Sequence, residues 1–285
     1  MKKILITGST GQLGSELTKI LISKDFNLIP VSRSQLDIAN YFQVEQLLLN
    51  LRPDWVVNCA AFTNLDRAET QVDESNKVNS VGPSLLARAC EITGSKLLHF
   101  STDAVFSSSS FKFFSSKEST NPVSQYGKSK EMGEKILLNN FAKNIWIIRS
   151  SWLYGDYGGN FIHKIIQSIR KQESIQVVDD QFGQPTNTRN FGLHIKEFIS
   201  EPPNSGVYHF ADFGYTSRYD LAKEISLSLG YKKYNIVPKS TVPSKNVAVR
   251  PKYSLLSLDN DSIKVDTKFI PWQDSLNQFL KLQTV

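Results

Sequence analysis

An α/β fold, a doubly wound parallel sheet carrying a smaller mixed α/β lobe, is the class this sequence predicts, and three observations predict it. Short apolar runs alternate with amphipathic segments up to about residue 150, the rhythm of strands joined by crossover helices. The first apolar run is followed at once by a glycine-rich turn and an amphipathic segment. Beyond residue 150 the rhythm breaks into shorter, turn-rich pieces, with neither a long linker nor an internal repeat at the change.

Composition narrows the function classes. A chain of 285 residues can bury a sizeable core, and 40% hydrophobic with 21% charged residues is ordinary for a globular protein. No apolar run approaches the roughly 20 residues of a membrane span, and the Lys2-Lys3-Ile4-Leu5-Ile6 start is too short for a secretion signal, so a cytoplasmic protein is expected, without membrane contact. The net charge of +6 and pI near 9.1 come without a basic block, which argues against nucleic acid and for an anionic small substrate or a phosphorylated cofactor. Cys59 and Cys90 are the only cysteines and the four histidines are scattered, so buried reduced thiols, structural or surface histidines, and no metal site are expected.

Taken in order, residues 3–7 form the first strand, and Gly8-Ser9-Thr10-Gly11-Gln12-Leu13-Gly14 the turn before a helix over 15–23. Backbone without Cβ and a helix N-terminus with free N–H groups are what a dinucleotide pyrophosphate needs, so Gly8, Thr10, Gly11, Gln12, Leu13 and Gly14 are candidate cofactor residues of a Rossmann-like sheet. The second strand, 27–32, ends in Ser32 and Arg33 with no acid before Asp37. A cation there suits a ribose 2′-phosphate, which tilts the choice to NADPH and leaves NADH as the alternative. A helix over 42–51, a strand over 55–61 ending in small residues, a helix over 79–90 and a strand over 97–100 ending in Ser101-Thr102-Asp103 continue the alternation.

The segment 107–119 is serine-rich with Phe111, Phe113 and Phe114 interleaved, a pattern expected of a mobile loop. Pro122 and a capping Ser124 then open a helix that puts Tyr126 and Lys130 on one face at i, i+4 spacing. A lysine cation about 4 Å from a phenol, at an effective dielectric of about 20, is worth about 4 kcal/mol. That is enough to pull a tyrosine down from about 10 towards neutrality and make it a proton donor. After a strand over 145–148, the back half offers helices over 161–171, 191–199, 220–229 and 272–282 and strands over 175–179 and 206–210. The expected division is a dinucleotide-binding unit over 1–149 plus roughly 174–200, and a substrate-binding lobe over 150–173 plus 201–285.

Several segments together resemble the extended short-chain dehydrogenase/reductases and, more narrowly, the dTDP-4-dehydrorhamnose reductase family. They are the glycine turn, Val57-Asn58-Cys59-Ala60-Ala61-Phe62-Thr63, Ser101-Thr102-Asp103, Tyr126-Gly127-Lys128-Ser129-Lys130, Arg149-Ser150-Ser151-Trp152-Leu153-Tyr154-Gly155, Asp180-Gln181-Phe182-Gly183-Gln184-Pro185-Thr186 and Arg250-Pro251-Lys252-Tyr253-Ser254. The resemblance implies that Tyr126 donates a proton, that Lys130 holds the nicotinamide ribose and lowers the tyrosine pKa, and that Thr102 bonds the reacting oxygen. It places Ala60, Ala61, Phe62 and Ser101 along the cofactor, Asp37 and Ile38 beside its adenine, and Asp103, Trp152 and Arg250 on a nucleotide sugar. The implied reaction is NADPH-dependent reduction of the C4 ketone of dTDP-4-dehydro-6-deoxy-L-mannose, for cell-surface polysaccharide synthesis. A homodimer is left open. Ala104 stands where the family usually has tyrosine, which opens the choice of sugar. The alternatives are a reductase or epimerase of another nucleotide 6-deoxyhexose, or a non-catalytic NADP-binding regulatory subunit like the β-subunit of methionine adenosyltransferase.

Overall fold

The computed structural model describes residues 1–141, 143–231, 235–242, 244, 247–258 and 269–283. Its centre is a six-stranded, all-parallel sheet made of β1 (Lys2–Thr7), β2 (Phe26–Val31), β3 (Trp55–Asn58), β4 (Lys96–Thr102), β6 (Ile145–Ser150) and β11 (Gly206–His209). In space the order is β2-β1-β3-β4-β6-β11. All pairs run parallel, but the strand order switches sides at β1, with β2 added on one side and β3 on the other, so the crevice for a ligand opens at the carboxyl ends of these strands. Side-chain alternation explains why both faces are covered. Ile4 and Ile6 face α1 (Gln12–Ile20) and α8 (Thr188–Ser200), whose Leu17, Phe191, Ile195 and Phe198 complete one core. Leu5, Val56, Leu97 and Ile147 face the other way, onto Val44 and Leu48 of α2 (Tyr41–Leu51) and Leu86 and Cys90 of α5 (Gly82–Thr93).

Three local outcomes differ from the sequence expectation. Helix α1 starts at Gln12, not at 15, because Gly11 N–H bonds back to Gly8 O (3.0 Å) and closes the turn at once. The helix expected over 79–90 is the end of a longer path: α3 (Leu65–Thr70), α4 (Val72–Asn76), a π-helical turn (Lys77–Val81) and α5, where Pro83 sits at a tolerated first-turn position. The serine-rich segment is largely exposed but anchored at Phe114, which is 5% exposed. Phe113–Phe114 form β5, paired with β14 (Leu255–Leu256), and Phe114 stacks on Phe106 at 4.4 Å between ring centroids.

The lobe has its own core, where α7 (Phe161–Arg170), α9 (Arg218–Ser228) and α10 (Trp272–Gln283) bury Ile165, Ile169, Leu221, Ile225, Leu276 and Phe279. Two segments fall across the expected division. Strand β8 (Ile175–Val178) pairs with β13 (Ile236–Lys239) and buries Val177 in the lobe core. Strand β11 pairs with β6 and sends Tyr208 and the following Phe210 into the sheet core against Phe198. Strand pairing needs neighbours in space, and here the neighbours come from distant parts of the chain.

Candidate active site

A cleft of about 620 Å³ lies at the carboxyl ends of β1, β3, β4 and β6, roofed by the lobe, and its size is that of a pocket for a substantial ligand. One wall is the glycine turn. Gly8 has φ +63°, in the left-handed region, and a Cβ there would lie 2.7 Å from Ala60 N. A Cβ on Gly14 would sit 2.2 Å from the Gly8 carbonyl oxygen, so the turn and α1 can approach only because both residues lack one. Gly11, as N-cap, offers no side-chain bond, which leaves first-turn N–H groups of α1 free to meet an anion. The turn therefore fits a dinucleotide pyrophosphate.

Next along this wall come Ala60 and Ala61, and their loop is held from behind. Asn79, in the π-helical turn, accepts from Phe62 N (2.8 Å), donates to Phe62 O (3.0 Å) and donates to Ser129 Oγ of α6 (Gln125–Asn140) at 2.9 Å. This clamp ties the β3 exit loop to the helix that carries Tyr126. Sequence patterning gave no signal for it, because an asparagine inside a helical run reads as a surface residue.

Helix α6 starts as expected, with Ser124 Oγ accepting from Gly127 N (3.1 Å). Gly127 is needed there, since a Cβ would lie 2.3 Å from Ala104 O. Tyr126 and Lys130 both line the cleft, yet their electrostatics are the reverse of the expected tuning. Burial pushes the half-buried Tyr126 phenol up to about 12; a hydrogen bond with Thr102 opposes the rise and the Asp103 carboxylate adds to it. The Lys130 ammonium does not pull it down. Nζ is instead bonded to Phe100 O (2.6 Å) and lies 3.2 Å from His99 Nε2, and burial lowers Lys130 itself to about 8 against the favourable field of Glu134. Tyr126 is thus a fully protonated phenol at neutral pH.

The opposite wall is built from side chains. Asp103 is 7% exposed and accepts from Thr102 Oγ1 (3.1 Å), Ser151 Oγ (2.8 Å) and Ser254 Oγ (2.7 Å). Burial raises its pKa, and these three hydroxyls with the Arg218 charge work against the rise. Trp152 adopts φ +41°, strained for a bulky residue, and its indole lies where a Cβ on Gly183 would come within 2.2 Å. The Arg218 guanidinium stacks on that indole at 3.5 Å, makes no ion pair among the described residues, and is held down to about 9 by burial, with Arg250 also lowering it. Arg250 reaches the cleft while paired to Asp66 at 3.1 Å. Arg218 was not anticipated. It follows the short strand β12 (Thr216–Ser217), and from sequence it is an ordinary first residue of a helix.

Gly11, Gln12, Leu13, Ala60, Ala61, Ser101, Thr102, Asp103, Tyr126, Lys130, Trp152 and Arg250 all line the cleft. Ser101 does so with its hydroxyl committed to Glu134, which is itself in a buried ion pair with Arg149 at 2.6 Å. Gly8, Thr10, Gly14, Phe62, Ser32, Arg33, Asp37 and Ile38 stand outside the lining. Gly8 and Gly14 shape the turn, Ser32 bonds Gln35 Oε1, and Arg33 lies exposed against Glu74. Asp37 Oδ1 accepts from Ala39 N, closing a local turn. Ile38 is 3% exposed in the sheet core, with its Cδ1 in the space beside Gly82.

The comparisons with known proteins agree with this geometry. The RmlD substrate binding domain family matches residues 1–285. A protein of Streptomyces griseus named dTDP-4-dehydrorhamnose reductase is 36% identical over 256 residues, covering 88% of this chain and 84% of its own. One of Streptomyces niveus named dTDP-4-keto-6-deoxy-D-glucose reductase is 34% identical, covering 98% and 96%. Among solved structures, dTDP-4-dehydrorhamnose reductase from Bacillus anthracis in complex with NADP superposes with TM-score 0.93 at 33% identity, covering 99% of each chain.

Proposed function

The chain belongs to the RmlD substrate binding domain family, and we propose that it is an NADPH-dependent reductase converting the C4 ketone of dTDP-4-dehydro-6-deoxy-L-mannose to the alcohol of dTDP-L-rhamnose. The observation that carries the reading is the meeting, in one cleft, of a phenol that stays protonated at neutral pH, a threonine hydroxyl beside it, and a glycine turn cut for a pyrophosphate. NADPH, when bound, supplies the hydride that adds to C4. Tyr126 Oη gives its proton to the ketone oxygen as charge grows there, and Thr102 Oγ1, its hydroxyl turned from Asp103, donates a hydrogen bond to the same oxygen. The Ala60–Ala61 stretch, with no side chain beyond Cβ, lets a flat ring pass close to the sheet edge.

On the substrate side, Arg218 is suited to the diphosphate: it is a planar fork of donors, pre-oriented on Trp152, in the field of Asp103 but in no direct ion pair among the described residues. Arg250 adds a second positive charge, and the two favour an anionic sugar nucleotide over a neutral ketone. Asp103, fixed by three hydroxyls, is placed to accept from a sugar hydroxyl. No helix among the described residues is long and apolar enough to cross a membrane, in keeping with work in the cytoplasm on a soluble nucleotide. A homodimer belongs to the same reading, with Met132 and Leu138 as apolar residues on the outer face of α6.

The test is NADPH consumption against a panel of dTDP-4-keto-6-deoxyhexoses. Turnover is expected with the L-lyxo ketone that yields rhamnose. A preference for the D-glucose-derived ketone, the substrate named for the Streptomyces niveus relative, would move the assignment to that sugar. No turnover with any member would replace catalysis by cofactor binding alone.

A further inference from the structure

Behind Lys130 runs a buried chain of hydrogen bonds that the reaction above does not use. Thr7 Oγ1 donates to Asn58 Oδ1 at 2.7 Å, and the backbone N–H of Ala60 donates to the same oxygen at 3.2 Å. Asn58 Nδ2 lies 3.0 Å from His99 Nδ1, and His99 Nε2 lies 3.2 Å from Lys130 Nζ. None of Thr7, Asn58, His99 and Lys130 is more than 1% exposed.

With Nζ as a free amine, every donor along this chain meets an acceptor. A backbone N–H can only donate, so the Asn58 atom facing Ala60 is its oxygen and the amide orientation is fixed. The amide NH₂ then faces His99 and requires a lone pair on Nδ1. Burial holds His99 well below the usual histidine pKa, so the ring is neutral and, with Nδ1 accepting, its one proton sits on Nε2. That N–H is aimed at Lys130 Nζ. An ammonium has no lone pair to receive it, whereas a free amine has one and still donates to Phe100 O.

We infer that Asn58 and His99 are positioning residues which, by fixing the imidazole tautomer whose Nε2–H faces Nζ, favour the free amine of Lys130 over its ammonium. The tautomer follows from the fold; its use in catalysis rests on the reductase reading. The titratable and charged groups around Lys130 are His99 from β4, Tyr126 and Glu134 from its own helix, and Arg149 from β6, which engages Glu134. Burial lowers the pKa of Lys130 to about 8 against the favourable field of Glu134, and the loss of the His99 bond on protonation works in the same direction as burial. Below that pH Nζ carries the charge that steadies the phenolate left when Tyr126 has given up its proton. Above it that help is gone, so reductive kcat/KM declines on the alkaline side with a midpoint near 8.

The tautomer is read directly by long-range ¹H–¹⁵N NMR of histidine-labelled, ligand-free protein at pH 9, with His99→Gln identifying the His99 signals. An Nε2–H tautomer is expected; an Nδ1–H tautomer or an imidazolium overturns the inference whatever the enzyme's substrate. The functional arm uses Asn58→Asp, whose carboxylate faces Nδ1, calls for a proton there, and leaves Nε2 to accept from an ammonium. The alkaline limb of kcat/KM should then move up by one pH unit or more. A limb unmoved in Asn58→Asp sinks the catalytic consequence, while failure of every ketone to turn over sinks only the reductase reading and leaves the NMR result to decide the tautomer.

Discussion

The two walls of the cleft are built on different principles. The cofactor wall is mostly backbone: a seven-residue glycine turn, the free N–H groups that open α1, and two alanines at the end of β3. The substrate wall is mostly side chain: Asp103 held by three hydroxyls, Trp152 strained and wedged over Gly183, Arg218 stacked on that indole, and Arg250 tied to Asp66. A backbone wall is specified by what is missing, the Cβ atoms, and so fits one shape. A side-chain wall assembled from separate segments can be altered one residue at a time. The two walls should therefore fail separately when mutated, and Tyr126, at the seam between them, should fail without disturbing either.

That seam gives the largest expected effect. Tyr126→Phe removes the proton donor while keeping the ring, so kcat should fall about 10³-fold, within the span usual for lost general acid catalysis. Affinities for NADPH and for the dTDP sugar should stay within about twofold of the original. Retained turnover would mean that another group supplies the proton. The high tyrosine pKa, about 12, also predicts that no acidic or neutral-range change in rate will trace to Tyr126 ionisation.

Next in size are paired substitutions, one on each wall. Gly14→Ala puts a methyl 2.2 Å from Gly8 O, and strain of that kind costs about 1–3 kcal/mol. Fluorescence titration should show it as a loss of NADPH affinity of roughly tenfold to a hundredfold with dTDP affinity kept. Arg218→Ala removes charged hydrogen bonds worth about 1.5–3 kcal/mol, so KM for the dTDP sugar should rise by a comparable factor with NADPH affinity kept. If each variant weakened both ligands alike, the walls would be one cooperative unit and the comparison would fail.

The same contrast explains what the sequence could disclose. The glycine turn, the alanine exit of β3 and the Tyr126/Lys130 pair were legible because each is local, with spacing that itself encodes the geometry. Asp103, Trp152 and Arg250 came only through resemblance. Arg218, the Asn79 clamp on Phe62 and the Asn58–His99 chain went unread, since they depend on residues brought together from separate segments. His99 looked like a structural histidine because one ring in a buried strand carries no pattern. The expected lowering of Tyr126 failed for a related reason: helical spacing puts Lys130 on the right face but does not say that Phe100 O and His99 will claim its nitrogen.

The smallest effect concerns Arg33, the one side chain expected to choose between the two nicotinamide cofactors. Its side chain is 77% exposed and sits 3.0 Å from Glu74, itself 40% exposed, at the rim beside β2. An exposed pair of this kind is worth about 0–1 kcal/mol, and contact with a ribose 2′-phosphate must compete with both Glu74 and water. Arg33→Ala should therefore lower the ratio of kcat/KM for NADPH to that for NADH only about threefold to tenfold, and added salt should shrink the wild-type preference in the same direction. Glu74→Gln frees the guanidinium and should raise the ratio slightly. A ratio untouched by either change would place cofactor choice in the backbone of the turn, making that wall selective by shape alone.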